Sequence, residues 1–276
     1  MTLSSKVALV LGAVKGIGKG IGLALAAENA SLALTRHDWT DSFQSMEEDF
    51  KASGARHEIY TADLRDIEQV KALARDIERD FGRLDILVNN IERGGWPAVH
   101  GEYTQEQWDL EMETTLRAKR WVFHHMLPLL RKSRDASVIN ISSIAAAVGR
   151  SGPAAVVFND GYAAACAGVS SLTRTWARMG APHIRVNELM LGIFETRHAQ
   201  GTRGWKEALS DKEKQALIDH TLLKRTGTVE DAAKAVLFMV RGAPYMTGST
   251  LCIDGGYLLG GQTVPDMPEG ILGPHS

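Results

Sequence analysis

Gly12, Gly16 and Gly18 form the first pattern in this chain whose residue types and spacing could do chemistry. The run Val10-Leu11-Gly12-Ala13-Val14-Lys15-Gly16-Ile17-Gly18 follows an apolar stretch, Val7 to Leu11, and opens a helical pattern, Ile21 to Ala27. In such a strand–turn–helix the glycines let the backbone approach a pyrophosphate, and the N–H groups at the helix start attract it. The bland alternative is a glycine-rich turn that holds nothing. A carboxylate at the end of the next strand would bind an adenosine ribose and repel a 2′-phosphate. Arg36 stands there instead, after Leu32-Ala33-Leu34-Thr35, and Lys15 adds a second cation. Two cations suit a 2′-phosphate, so NADP is expected over NAD, with Asp38 close enough to leave NAD open.

The elements that must position this turn alternate along the chain. Compact apolar runs at Val7 to Leu11, Leu32 to Leu34, Ile59 to Ala62, Leu84 to Val88, Val138 to Ile141, Ile184 to Val186 and Leu251 to Ile253 have the length of strands covered on both faces. Helical periodicity occupies Ile67 to Phe81, Glu106 to Leu130, Tyr162 to Met179 and Val229 to Val240. The alternation predicts an α/β fold, a doubly wound parallel sheet of seven strands with helices on both faces. Residues 1–257 form one expected domain, interrupted by a polar stretch at 193–223 where a mobile lid would sit, and 258–276 read as an irregular tail. Arg197, His198, Arg203 and Trp205 in that stretch could grip an anionic or flat substrate, although solvated loop residues are the plainer reading.

Composition narrows the partners. At 276 residues, with 44% hydrophobic and 23% charged, the chain can bury a sizeable core. Its 31 basic against 33 acidic residues leave a net charge of −2, which supplies no global field for nucleic acid or an anionic membrane. No apolar run approaches the eighteen or so residues of a membrane span. Cys166 and Cys252 have no metal-ligand spacing, so no metal is expected and a reducing, cytoplasmic compartment fits best.

Further segments follow the glycine turn in a fixed order: Ala62-Asp63-Leu64, Leu87-Val88-Asn89-Asn90, Ile139-Asn140-Ile141-Ser142-Ser143, Tyr162 opening a helix, Ile184-Arg185-Val186-Asn187, Gly192 with Thr196, and Thr247-Gly248 before Ile253-Asp254-Gly255-Gly256. From about residue 6 to 257 the chain resembles a short-chain dehydrogenase/reductase. The resemblance implies a nicotinamide cofactor at the carboxyl ends of the strands, a small alcohol or carbonyl substrate, and a homo-oligomer, a tetramer or dimer. Gly12, Val14, Lys15, Gly16, Ile17, Gly18 and Arg36 would hold the cofactor. Asp63 and Leu64 would border its adenine, Asn89 would lie beside it, and Gly192 and Thr196 would reach toward the nicotinamide end.

In that family a Tyr exchanges the proton, a Lys four residues later favours its phenolate, a Ser polarises the substrate oxygen and an Asn holds a relay water. By the resemblance Tyr162 fits the Tyr, and Ser143 fits the Ser better than Ser142. The Asn position holds Thr115, and the Lys position holds Cys166. A thiol cannot lower a phenol's pKa as an ammonium does, and a thiolate would raise it. No Lys occurs between Lys132 and Lys206, and the six-residue spacing of the family's enoyl-carrier-protein reductases meets Gly168. Glu92 brings a carboxylate and bulk where a Gly usually admits the cofactor. Asp160, in a longer loop than usual, is a candidate carboxylate, with a turn residue the plainer reading. Arg117, Lys119 and Arg120 could replace the missing cation, but a charge on such a helix is expected to face solvent. His124 and His125 read as packing or surface groups.

Two functions therefore remain. One is an NAD(P)-dependent oxidoreductase acting on an alcohol or carbonyl, working slowly or through a substitute cation. The other is a non-redox descendant: a cofactor-binding pseudoenzyme, or a dehydratase, isomerase or cyclase using Tyr162 and Ser143.

Overall fold

The computed structural model describes residues 3–92, 103–196, 205, 209–262 and 264–267. Arg197, His198 and Arg203 of the expected lid, and residue 263 and residues 268–276 of the expected tail, lie outside them.

Seven strands form one parallel sheet: β1 (Val7–Val10), β2 (Ser31–Arg36), β3 (His57–Thr61), β4 (Ile86–Asn89), β5 (Ala136–Ser143), β6 (Ile184–Leu191) and β7 (Thr250–Ile253). Their order is β3-β2-β1-β4-β5-β6-β7, so the chain leaves β1 toward one edge and later returns to pair β4 on its other side. A crevice opens at the carboxyl ends of the strands where the order reverses, and that is where a ligand is held in such sheets.

The helices are α1 (Gly16–Ala27), α2 (Phe43–Ala52), α3 (Ile67–Phe81), α4 (Gln105–Glu111), α5 (Ala118–Leu130), the short α6 (Ala145–Val148), α7 (Asp160–Gly180), α8 (Asp211–His220) and α9 (Val229–Leu237). A wide-turned segment, Met112–Arg117, joins α4 to α5 without a break. Alternation along β1 splits the core in two, as a strand with period two must. Leu9 points to the side of α3, α5 and α7, where Leu73, Phe123 and Trp176 are buried, and the Phe123 and Trp176 rings stack with centroids 4.4 Å apart. Ala8 and Val10 point to the side of α1, α2 and α9, among Ile21, Phe50 and Val236.

Local chemistry sets the ends. Asp66 caps α3 by accepting from the Glu68 N–H at 2.9 Å, and Gly82 closes it at φ 76°. Three helices went unread in the sequence: the one-turn α6, α2 and α8. α2 carries its buried face on only Met46 and Phe50, and α8 lies inside the polar stretch expected to be a loop, with Leu217 buried. α8 is defined by its Ser210–Glu213 capping box, a signal that polar composition hides. No helix among the described residues is long and apolar enough to cross a membrane.

Candidate active site

The turn after β1 is held from two sides. Gly12 donates to Thr35 Oγ1 at 3.0 Å, and Asn90 Nδ2 donates to the Leu11 carbonyl at 3.2 Å. Gly12 and Gly16 have φ of +63° and +57°, and a Cβ on Gly18 would lie 2.2 Å from the Gly12 carbonyl oxygen. Only glycine permits this crossing of turn and helix. Lys15 is the N-cap of α1, its side chain makes no capping bond, and the first turn holds no acidic residue. The N–H groups that begin α1 thus border the crevice with no side-chain acceptor from the cap or carboxylate from their own first turn, which fits a bound pyrophosphate.

At the outer end of the same cleft, Lys15 Nζ sits 3.8 Å from the centre of the Trp39 ring. Arg36 donates to Thr61 Oγ1 at 3.0 Å, pairs with Glu47 and lies over Phe43. His37 and Arg65, which the sequence reading passed over, line the cleft beside them. Asp63 accepts two bonds from the Arg65 guanidinium, at 3.0 and 2.8 Å, and these hold its carboxyl below the usual range. Val14, Gly16, Ile17, Leu64, Gly192 and Thr196 also line the cleft. A Cβ on Gly192 would lie 2.5 Å from Asp254 Cα, so the approach of the chain after β7 requires glycine there.

The inner end is built around Tyr162. Asn159 caps α7 by accepting from the Tyr162 N–H at 2.8 Å, and its side-chain amide donates to Glu111, which also accepts from the Tyr103 hydroxyl at 2.8 Å. This network ties the start of α7 to α4 and fixes where the phenol stands. Ser143, at the end of β5, lines the cleft together with Tyr162, while Ser142 donates to Glu188 on β6. The Tyr162 hydroxyl donates to Glu92 Oε2 at 2.9 Å. Glu92 Oε1 lies 3.4 Å from Lys119 Nζ, and Lys119 donates to the Ile141 carbonyl at 2.6 Å.

Lys119 corrects the expectation of a solvated charge: it is 0% exposed. Its spacing carried the signal, because Lys119, Val122, Phe123 and Met126 stand at i, i+3, i+4 and i+7, the buried face of α5. Arg117 and Arg120 are exposed, as expected. Cys166, one turn after Tyr162, is fully buried, and burial pushes its thiol pKa up. Burial also drives the Tyr162 phenol well above its ordinary value, Cys166 and Glu92 add to the rise, and the nearby Ser143 hydroxyl opposes it.

Two expected positions, Asn89 and Thr115, fall elsewhere. Asn89 is buried behind the cleft, donating to Asn140 Oδ1 at 3.2 Å, because β4 alternates and turns Asn90 to the cleft instead. Thr115 is fully buried off the cleft, where the wide turn presents Thr114, whose buried Oγ1 has no partner among the described residues. Asp160 is exposed in the first turn of α7, the turn residue of the plainer reading. His124 and His125 lie on α5 away from the cleft.

A family model described as enoyl-(acyl carrier protein) reductase matches residues 12–258. The 3-oxoacyl-[acyl-carrier-protein] reductase of Staphylococcus aureus is 32% identical over 91% of the chain and 98% of its own length. That of Thermotoga maritima is 30% identical over 94% of the chain and all of its own. A crystal structure of a putative short-chain alcohol dehydrogenase from Sinorhizobium meliloti superposes with a TM-score of 0.79 at 28% identity, covering 94% of the chain and 98% of that one.

Proposed function

The chain belongs to the short-chain dehydrogenase/reductase family and is a nicotinamide-dependent oxidoreductase, and from that premise we propose that Tyr162 and Ser143 carry a carbonyl reduction with NADP(H) preferred. The observation that carries this reading is that Ser143 and Tyr162 line the inner end of the same cleft whose outer end the glycine turn and Arg36 border. The proteins named above are dehydrogenases or reductases, and none of their names supports the non-redox alternative.

A nicotinamide held in this cleft would supply the hydride. Ser143 donates to the substrate carbonyl oxygen and orients it, and Tyr162 delivers the proton to that oxygen as negative charge develops there. A phenol held neutral by burial is suited to giving a proton; as a base for alcohol oxidation it needs alkaline pH or a second group to take its own proton. Gly12, Val14, Gly16, Ile17 and Gly18 cradle the pyrophosphate in this reading, Lys15 and Arg36 take the 2′-phosphate, and His37 and Arg65 add donors nearby. Asp63 and Leu64 border the adenine, and Gly192 and Thr196 lie toward the nicotinamide. Thr114 takes the water-holding role assigned to Thr115. The relatives' names make a 3-oxoacyl thioester the first substrate to try. One dinucleotide-binding domain over residues 1–257, a tail at 258–276, a homo-oligomer and a reducing cytoplasmic setting complete the reading. The two free cysteines, one buried and one exposed, accord with that setting.

Titration calorimetry with NADPH and NADH tests the cofactor, and acetoacetyl-CoA reduction tests the chemistry. NADPH is expected to bind at least about tenfold tighter, a difference of about 1.4 kcal/mol. Tyr162→Phe is expected to lower kcat at least about 100-fold with cofactor affinity kept. Equal dissociation constants remove the NADP preference, and a fully active Tyr162→Phe removes the role of the phenol.

A further inference from the structure

We infer that Glu92 and Lys119 replace the family's missing cation by a different device: Glu92 exchanges the proton of Tyr162, and Lys119 holds Glu92 in place as its counter-ion. The inference deepens the redox reading and rests on it. Three elements meet to make the array. Glu92 follows β4, Lys119 comes from α5 and Tyr162 from α7, and the carboxylate bridges the other two through opposite oxygens.

An ammonium beside a phenol favours the phenolate, but a carboxylate does the reverse. With Glu92 accepting its proton, Tyr162 cannot wait as a phenolate and must pass a proton through. In alcohol oxidation the substrate O–H proton moves to Tyr162 Oη as the phenol proton moves to Glu92 Oε2. The carbon's hydride leaves with its electron pair to the nicotinamide, and Glu92, which lines the cleft and whose side chain is 11% exposed, gives the proton to water. Reduction runs the same transfers backward, with Glu92 protonated at the start. Tyr162 remains neutral at both ends of each cycle.

The buried ammonium of Lys119 balances the carboxylate, and its bond to the Ile141 carbonyl fixes where the charge sits. Among the described residues, the titratable groups facing Glu92 are Lys119 from α5 and Tyr162 and Cys166 from α7. β5 contributes the Ser143 hydroxyl and the Ile141 carbonyl, which carry no charge. Lys119 is thus a positioning residue and Glu92 the second proton acceptor.

The test uses the full chain labelled with ¹³Cζ-tyrosine, the Tyr162 signal being assigned by its loss in Tyr162→Phe, and needs neither cofactor nor substrate. Glu92→Gln is expected to lower the phenol's ionisation midpoint by at least about one pH unit, a tenfold change in acidity. Lys119→Met is expected to raise it. An unchanged midpoint in Glu92→Gln overturns the inference. Should either single variant unfold, Glu92→Gln/Lys119→Met keeps the charge balance and is expected to show a midpoint below that of the wild type; one no lower overturns the inference equally.

The pH profile of 3-hydroxybutyryl-CoA oxidation with NADP⁺ is the second readout. Glu92→Gln is expected to lose at least about 100-fold at pH 7 and to recover as pH rises, with Glu92→Asp partly active. If Tyr162→Phe is inactive while Glu92→Gln keeps the wild-type profile, only this inference falls. If Tyr162→Phe is fully active, the redox assignment of the phenol falls with it.

Discussion

Lys119 has a fully buried side chain whose ammonium meets one carboxylate and one backbone carbonyl. Removing one member of such a pair leaves the other charge without compensation in a poorly solvated place. Lys119→Met is therefore expected to cost about 3–5 kcal/mol in urea unfolding, since it strands Glu92. Cys166 lies close enough for Lys119 and Glu92 both to act on its thiol. A cation moved to that position can take over the pairing. Cys166→Lys/Lys119→Met is expected to recover about half of the loss, and a double variant no more stable than Lys119→Met would refute the exchange. Glu92 was legible as an odd residue in the asparagine segment, but its partners were not. They stand 27 and 70 positions away in sequence, on helices whose facing no local pattern states.

At the level of elements, the join between β1 and α1 is the most constrained piece of backbone in the cleft. A methyl group on Gly18 would meet the Gly12 carbonyl oxygen at 2.2 Å, and because that oxygen is backbone the turn itself must move. Gly18→Ala is expected to lower NADPH affinity at least about tenfold and stability by about 1–3 kcal/mol, by calorimetry and thermal unfolding. Gly54 supplies the control. It also has positive φ, +71°, but nothing lies within 4 Å, so Gly54→Ala is expected to cost about 1 kcal/mol and leave affinity unchanged. The strands and the helix Ile67–Phe81 were legible because their apolar spacing is strong and local. α2 was not, since two buried residues in ten make little of a face.

Across the whole molecule, the two ends of the sheet do different work. The carboxyl ends of the strands hold the cleft, while Asp85 ties the opposite end together, accepting from the Val7 N–H at 2.9 Å, Ser133 Oγ at 2.6 Å and Arg83 Nε at 3.0 Å. Burial opposes its ionisation, yet the bonds from Ser133, Val7 and Arg83, with Lys6 nearby, prevail and lower its pKa. A carboxyl depressed in the folded state stabilises above its unfolded pKa of about 3.9 and loses that contribution as pH falls through the folded value. Asp85→Asn is therefore expected to be clearly less stable than the wild type at pH 7, with the gap closing below about pH 4. Cofactor affinity at pH 7 should be untouched. A gap that stays constant in urea titrations across that range would show that the carboxylate's charge is not what stabilises.

The sequence by itself determined the seven-stranded parallel architecture, the glycine turn and the presence of a Ser and a Tyr in the family's order, because these depend on short-range periodicity and on residues close together in the chain. Tertiary structure decided which of three neighbouring cations turned inward, that Asn90 and not Asn89 faces the cleft, and that a carboxylate stands between the phenol and an ammonium. Those outcomes depend on where charge loses its water, and desolvation is a property of the assembled interior that no stretch of sequence carries alone.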